Sequence, residues 1–204
     1  MSKKIITHFK RADPKLHSVL EKVYAIHGPE LFSLNKRELL FDELVESIVS
    51  QQLSIKASDS IYKRIIDLMP GKILNPQNLL KIKDENLRKA GLSFGKIKYL
   101  KDLSSKVKNG ELKLESLDEM ENEEVIKELT KVKGIGRWTA EMFLMFALAR
   151  PDIFSHGDLG LKNAVKKIYG FDEYKIEVVE GIVIRWSPYR TIAAKILWRS
   201  LELK

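Results

Sequence analysis

The chain has 204 residues, 44% of them hydrophobic, and a formal net charge of +8. That length allows one substantial core or two small subdomains, and that apolar content excludes a largely disordered chain. Cysteine is absent, which excludes disulfides, thiolate zinc sites, iron–sulfur clusters and a cysteine nucleophile, and the four histidines lie outside helical spacing of one another, which argues against a catalytic zinc site.

In chain order the pattern is helix after helix. Met1 to Lys10 is basic, with no apolar signal core. Asp13–Pro14 reads as an N-cap followed by proline at the first helical position; Leu16, Val19, Leu20, Val23 and Tyr24 then share a face, and Gly28 ends the segment. Leu40, Phe41, Leu44, Val45, Ile48 and Val49 mark a helix that runs into Ser50-Gln51-Gln52-Leu53-Ser54. The next turns Ile61, Ile65 and Leu68 inward and stops at Pro70–Gly71. Asn75–Pro76 opens a short helix, Asp84 another that ends at Gly91, and Ser93 one carrying Ile97, Leu100 and Leu103. Asn122 begins a helix leading to Lys133-Gly134-Ile135-Gly136. Arg137 to Ala149 follows, apolar on nearly all sides and expected to be central and buried. Asp158 precedes a helix ending at Gly170, and Ser187–Pro188 opens the last one. No alternating segment pairs with another, so the fold class is all-α. The longest apolar run, Met142 to Ala149, is too short to span a bilayer. An intracellular protein without a membrane partner is expected, in the cytoplasm or nucleoid of a prokaryote or the nucleus of a eukaryote.

The segment Leu129 to Ala140 carries a lysine-flanked G-x-G between two helical stretches. Gly134 and Gly136 permit positive φ and close backbone approach, and a turn feeding a helix N-terminus presents unpaired N–H groups with a favourable dipole. This is an anion site to which Lys133 and Arg137 add charge. G-x-G alone is equally an ordinary helix–helix turn, and basic clusters such as Lys96/Lys98/Lys101 are equally solvated helix faces.

The whole string K-G-I-G-x-W-T-A resembles the helix–hairpin–helix motif of the base-excision DNA glycosylases. More narrowly, RWTAEMF, RPDIF, GDLG, the segment Ser50 to Ser54 and the stretch from Trp186 to Trp198 are similar to the 3-methyladenine DNA glycosylase II branch. The resemblance spans roughly residue 40 to the C-terminus. It implies two helical subdomains flanking an active-site cleft: approximately residues 36–150, with the hairpin at 130–137, and approximately 1–35 plus 151–204. It implies a single catalytic unit, residues 1–204, acting as a monomer on double-stranded DNA containing damaged bases.

The resemblance also assigns residues. Asp158 lies 22 residues after Gly136 (158 − 136), the separation the family uses for its catalytic aspartate. A carboxylate there stabilises an oxocarbenium-like sugar and orients the attacking water; otherwise Asp158 is a plain N-cap. Trp138 stands where glycosylase–lyases carry a nucleophilic lysine, which implies simple hydrolysis. Trp138, Met142 and Tyr189 are implied to line the base pocket, where an electron-rich site attracts a cationic alkylated base; the alternative for each is core. Gln52 is the expected wedge that fills the stack after base flipping, with Leu53 beside it. Lys96, Lys133, Gly134, Gly136 and Thr139 are expected on the DNA backbone. The carbonyls of Thr130, Val132 and Ile135 occupy positions that in relatives hold a structural Na+ or K+ ion; no other cofactor and no iron–sulfur cluster is implied. His156, next to Gly157-Asp158, is expected to be structural. The rival readings are a non-catalytic DNA-binding module, against which Asp158 stands, a bifunctional lyase, against which Trp138 stands, and a glycosylase of the same fold for other lesions.

Overall fold

The computed structural model describes residues 2–203 and is helical, with no strand among the described residues. The helices are α1 Ser2–Ala12, α2 Pro14–His27, α3 Leu40–Ser50, α4 Ile55–Leu68, α5 Pro76–Lys81, α6 Asp84–Lys89, α7 Phe94–Lys108, α8 Asn122–Leu129, α9 Arg137–Phe146, α10 Leu159–Tyr169, α11 Ile176–Val183 and α12 Arg190–Ser200. None is long and apolar enough to cross a membrane.

The caps explain most boundaries. The side chains of Asp13, Ser54, Asn75, Ser93 and Asp158 each accept an N–H from the first turn of the helix that follows. Asp84 and Asn122 are the first residues of α6 and α8 as expected, and the cap of α8 is Glu121, which forms a reciprocal capping box with Glu124. One expected start differs: α12 begins at Arg190, behind Tyr189, and not at Ser187–Pro188. Two helices escape the sequence pattern as read. Among the described side chains of α1, Ile5 and Phe9, one turn apart, are buried; in α11 Val179 and Val183 are. Short helices with a two-residue apolar stripe give little periodic signal.

The chain divides into two compact units, with the boundary inside α9. One comprises Met1–Lys36 and Leu144–Lys204, the other Arg37–Phe143. In the second unit α7 is the central element, packed by α3, α5 and α6, and Ile97, Leu100 and Leu103 point from it into the core. In the first unit α12 packs on α2 and α10, and α1 lies on α2. The core there includes Phe9, Leu16, Leu20, Leu161, Ile192 and Leu197.

Asp13 ties the first unit together. It is 2% exposed. One carboxylate oxygen accepts the Leu16 N–H (3.0 Å) and caps α2; the other accepts the Trp186 indole N–H (2.9 Å) and the Tyr169 hydroxyl. Burial, then the hydrogen bond to Asp13, pushes the Tyr169 hydroxyl far above the ordinary tyrosine range. Replacing Asp13 removes the cap and leaves the buried Trp186 indole and the part-buried Tyr169 hydroxyl without this acceptor. Asp13→Ala is therefore expected to lower stability by about 2–4 kcal/mol, read from urea unfolding; a loss below about 1 kcal/mol would show that these donors find other partners.

Candidate functional site

The hairpin joins α8 to α9. The Ile135 N–H donates to the Val132 carbonyl (3.1 Å), and both side chains are buried beneath the turn. Gly134 has two reasons to be glycine. Its φ is +83°, and a Cβ there would stand 2.2 Å from the Tyr99 ring. Gly136 has neither: its φ is not positive, and a Cβ would meet nothing within 4 Å. The fold therefore does not demand glycine at 136.

A stripe on α7 supports this turn. Tyr99 lies against Gly134, and one turn further Asp102 accepts the Lys133 N–H (2.9 Å). One turn earlier, Lys96 Nζ donates to the carbonyls of Val49 and Gln51, each at 2.7 Å. Lys96, expected on the DNA backbone, is thus turned into the protein. It caps the C-terminal end of α3, where unpaired carbonyls and the helix dipole attract a cation, and burial holds its pKa below the usual lysine range. Lys101 does the same for α5, donating to Leu79, Leu80 and Ile82. Two members of the basic cluster are therefore internal caps and not a solvated face.

Charge at the hairpin is also smaller than expected. Arg137 is bonded to Glu141 (2.9 Å) and forked onto Glu123 (3.0 and 2.5 Å), and Lys131 pairs with Glu128 (2.6 Å). The Lys133 side chain remains exposed.

Between the turn after α3 and the hairpin lies a cavity of about 620 Å³. Gln52, Lys96, Gly134, Trp138 and Thr139 line it together with Gln51 and Tyr99. Trp138 is 48% exposed and Phe146, two turns on, is 44% exposed, so α9 is less buried than its composition predicts. Met142 is half-buried and outside this cavity. Leu53 is 40% exposed beside Gln52, whose φ is +57°.

Asp158 sits in the other unit, at the N-cap of α10, 9% exposed. Its Oδ1 accepts the Leu161 N–H (2.7 Å) and the Trp198 indole N–H (2.9 Å). Phe146 packs on the Trp198 ring, 5.8 Å between centroids. Gly160 makes room for this arrangement: a Cβ there would come within 3.1 Å of Asp158 Oδ1 and 3.0 Å of Trp198 Cδ1.

Tyr189, expected in the base pocket, does not line the cavity beside the hairpin. It packs edge-on against His8 and lines a separate groove with Lys3, Lys4 and Arg11. As the N-cap of α12 it lies nine residues (198 − 189) before Trp198, about 13 Å along a helix at 1.5 Å per residue. Trp198 is the aromatic that reaches Asp158. His156 is held between the Tyr174 hydroxyl and Glu180, both at 2.7 Å, in a structural network. The sequence pattern does not single out Gln51, Tyr99, Asp102 or Trp198, because each acts on a partner distant in the chain; the only signal for two of them is the three-residue spacing of Tyr99 and Asp102 after Lys96.

A family model described as HhH-GPD superfamily base excision DNA repair protein matches residues 45–187. DNA-3-methyladenine glycosylase 1 of Schizosaccharomyces pombe is 34% identical over 175 residues, covering 84% of this chain and 76% of its own length. YfjP of Bacillus subtilis is 30% identical over 170 residues, 80% of this chain; the match spans only 59% of that relative. Among solved structures, a Schizosaccharomyces pombe 3-methyladenine DNA glycosylase in complex with abasic DNA superposes with a TM-score of 0.82 at 28% identity, covering 98% of this chain and 97% of that one.

The two hairpin glycines separate folding from binding. Gly134→Ala is expected to cost about 2–4 kcal/mol, from positive φ and the clash with Tyr99. Gly136→Ala is expected to leave stability within about 0.5 kcal/mol yet weaken duplex DNA binding about tenfold by obstructing hydrogen bonds to the backbone amides. Thermal unfolding and fluorescence anisotropy read the two effects; unchanged affinity in Gly136→Ala would remove the hairpin from the interface.

Proposed function

Because the chain belongs to the HhH-GPD superfamily of base excision DNA repair proteins, we propose that it is a monofunctional DNA glycosylase that hydrolyses alkylated bases, of the 3-methyladenine and 7-methylguanine class, from duplex DNA and leaves an abasic site. One observation carries this reading: a buried carboxylate, Asp158, oriented by the Leu161 N–H and the Trp198 indole. Relatives from fungi and bacteria are named DNA-3-methyladenine glycosylases, and one is solved with abasic DNA, the product of such a reaction.

The chemistry asked of the protein is modest. An N-alkylated purine is cationic, so the N-glycosidic electron pair leaves with the base and neutralises it. Positive charge develops on the sugar. Asp158 faces that charge and receives or orients the proton of the water that adds at C1′. Held by two donors, it needs no reorganisation at the moment of reaction. Trp138 offers an exposed ring for stacking a cationic base, and it has no amine to attack the sugar. Gln52 and Leu53, exposed after α3, are the side chains proposed to fill the gap left by the flipped nucleotide.

At the hairpin, the carbonyls of Thr130, Val132 and Ile135 are neutral hard oxygens that suit an alkali-metal ion. The Val132 carbonyl accepts one turn bond from Ile135 and keeps a second lone pair. Bound there, an ion would add positive charge beside a DNA phosphate.

Asp158→Asn tests the reading. The excision rate from alkylated duplex should fall by at least about 10²–10³-fold, with the dissociation constant for abasic duplex within about threefold of wild type, since the backbone grip is elsewhere. Borohydride added during turnover should trap no protein–DNA adduct. Full activity in the variant would remove Asp158 from catalysis; a trapped adduct would replace hydrolysis with lyase chemistry.

A further inference from the structure

The turn after α3 is tied to the hairpin by a contact that the Lys96 cap of α3 does not require. The Gln51 side-chain amide crosses 83 positions in sequence to donate to the Gly134 carbonyl (2.8 Å). Gln52, the next residue, has φ +57°, a left-handed conformation that costs a non-glycine residue free energy and persists only where surroundings enforce it. The enforcement is visible. Lys96 holds the carbonyls of Val49 and Gln51, on the two sides of Ser50, and the Leu53 N–H closes onto the Ser50 carbonyl (3.0 Å). Lys96 shares the α7 stripe with Tyr99 and Asp102, which fix Gly134 and the Lys133 N–H. One rigid helix face therefore holds both the hairpin and the turn that presents Gln52 and Leu53.

We infer that Gln51 and Lys96 are positioning residues that couple the hairpin's hold on the DNA backbone to insertion of Gln52 and Leu53 into the base stack. The inference rests on the glycosylase reading. The coupling is mechanical. A phosphate held at the hairpin amides fixes the Gly134 carbonyl, and through Gln51 that carbonyl fixes the strained residue beside it. Without the two donors the turn relaxes out of the left-handed conformation, and the side chains meant for the stack are no longer presented to it. Flipping then becomes the slow step, so the defect should depend on how well the target base is stacked and paired.

The experiment compares wild type, Gln51→Leu, Lys96→Met and Lys96→Arg in single-turnover release of 7-methylguanine. One duplex pairs it with cytosine; a second places it in an unpaired bubble, where flipping is already favoured. Each lost donor should slow release from the paired duplex by about tenfold, the equivalent of one hydrogen bond. Release from the bubble should change by less than about threefold on the same scale. Lys96→Arg, which keeps a donor for both carbonyls, should recover most of the paired-duplex rate. Thermal unfolding identifies a variant that is merely unstable, and Gln51, whose bond to Gly134 is exposed, keeps the test open if Lys96→Met does not fold. Equal slowing on both substrates by folded variants, or none on either, would overturn the coupling. A Lys96→Met variant with a lower salt dependence of binding would instead make Lys96 a phosphate contact. Failure of wild type to release base from either substrate would refute the glycosylase reading itself.

Discussion

The closeness of the hairpin backbone to the Tyr99 ring is the constraint from which the geometry of the Arg37–Phe143 unit follows. Only glycine fits at 134, and that fit brings its carbonyl to Gln51 and the neighbouring Lys133 N–H to Asp102. α7 is thereby both a core helix and a mounting surface. Its inward face, Ile97, Leu100 and Leu103, packs the unit, while Lys96, Tyr99 and Asp102 fix two loops whose backbones would otherwise be free to shift. A loop that must meet a phosphate gains from this arrangement, because its amides are aimed before the ligand arrives.

The other unit repeats one local device for two purposes. Asp13 and Asp158 are both N-cap aspartates that also accept an indole N–H, from Trp186 and Trp198 respectively. Asp13 accepts on both oxygens and sits in a core of large side chains, so its role is cohesion. At Asp158 the Leu161 and Trp198 donors both meet Oδ1, and the neighbouring Gly160 exists to admit the indole. The same chemistry that makes a good cap makes a rigid carboxylate, and rigidity is what electrostatic catalysis requires.

Much of the fold was legible because caps and periodicity agreed: Asp13–Pro14, Asn75–Pro76, Ser93 and Asp158 each mark a true helix start. The failures have physical causes. Among the described side chains, α1 and α11 bury two each in a single stripe, too few for a periodic signal. Lys96, Lys101 and Arg137 read as cations for a polyanion because local sequence cannot show that a helix C-terminus or a glutamate awaits each one. Tyr189 and Trp198 fall within one short motif, and only the helical rise between them determines which reaches the carboxylate. Gln52, Gly134, Trp138 and Thr139, which the family resemblance singled out, line one cavity beside the hairpin.

The central claim is that a fixed carboxylate and a hairpin grip make this chain a hydrolase of alkylated nucleotides. The most direct measurement is mass-spectrometric identification of what wild-type protein releases from a duplex carrying a single 7-methylguanine. The account predicts free 7-methylguanine and an intact strand bearing an abasic site, cleaved only on later treatment with alkali. Duplex that is bound but releases no base would contradict it and leave a DNA-binding module.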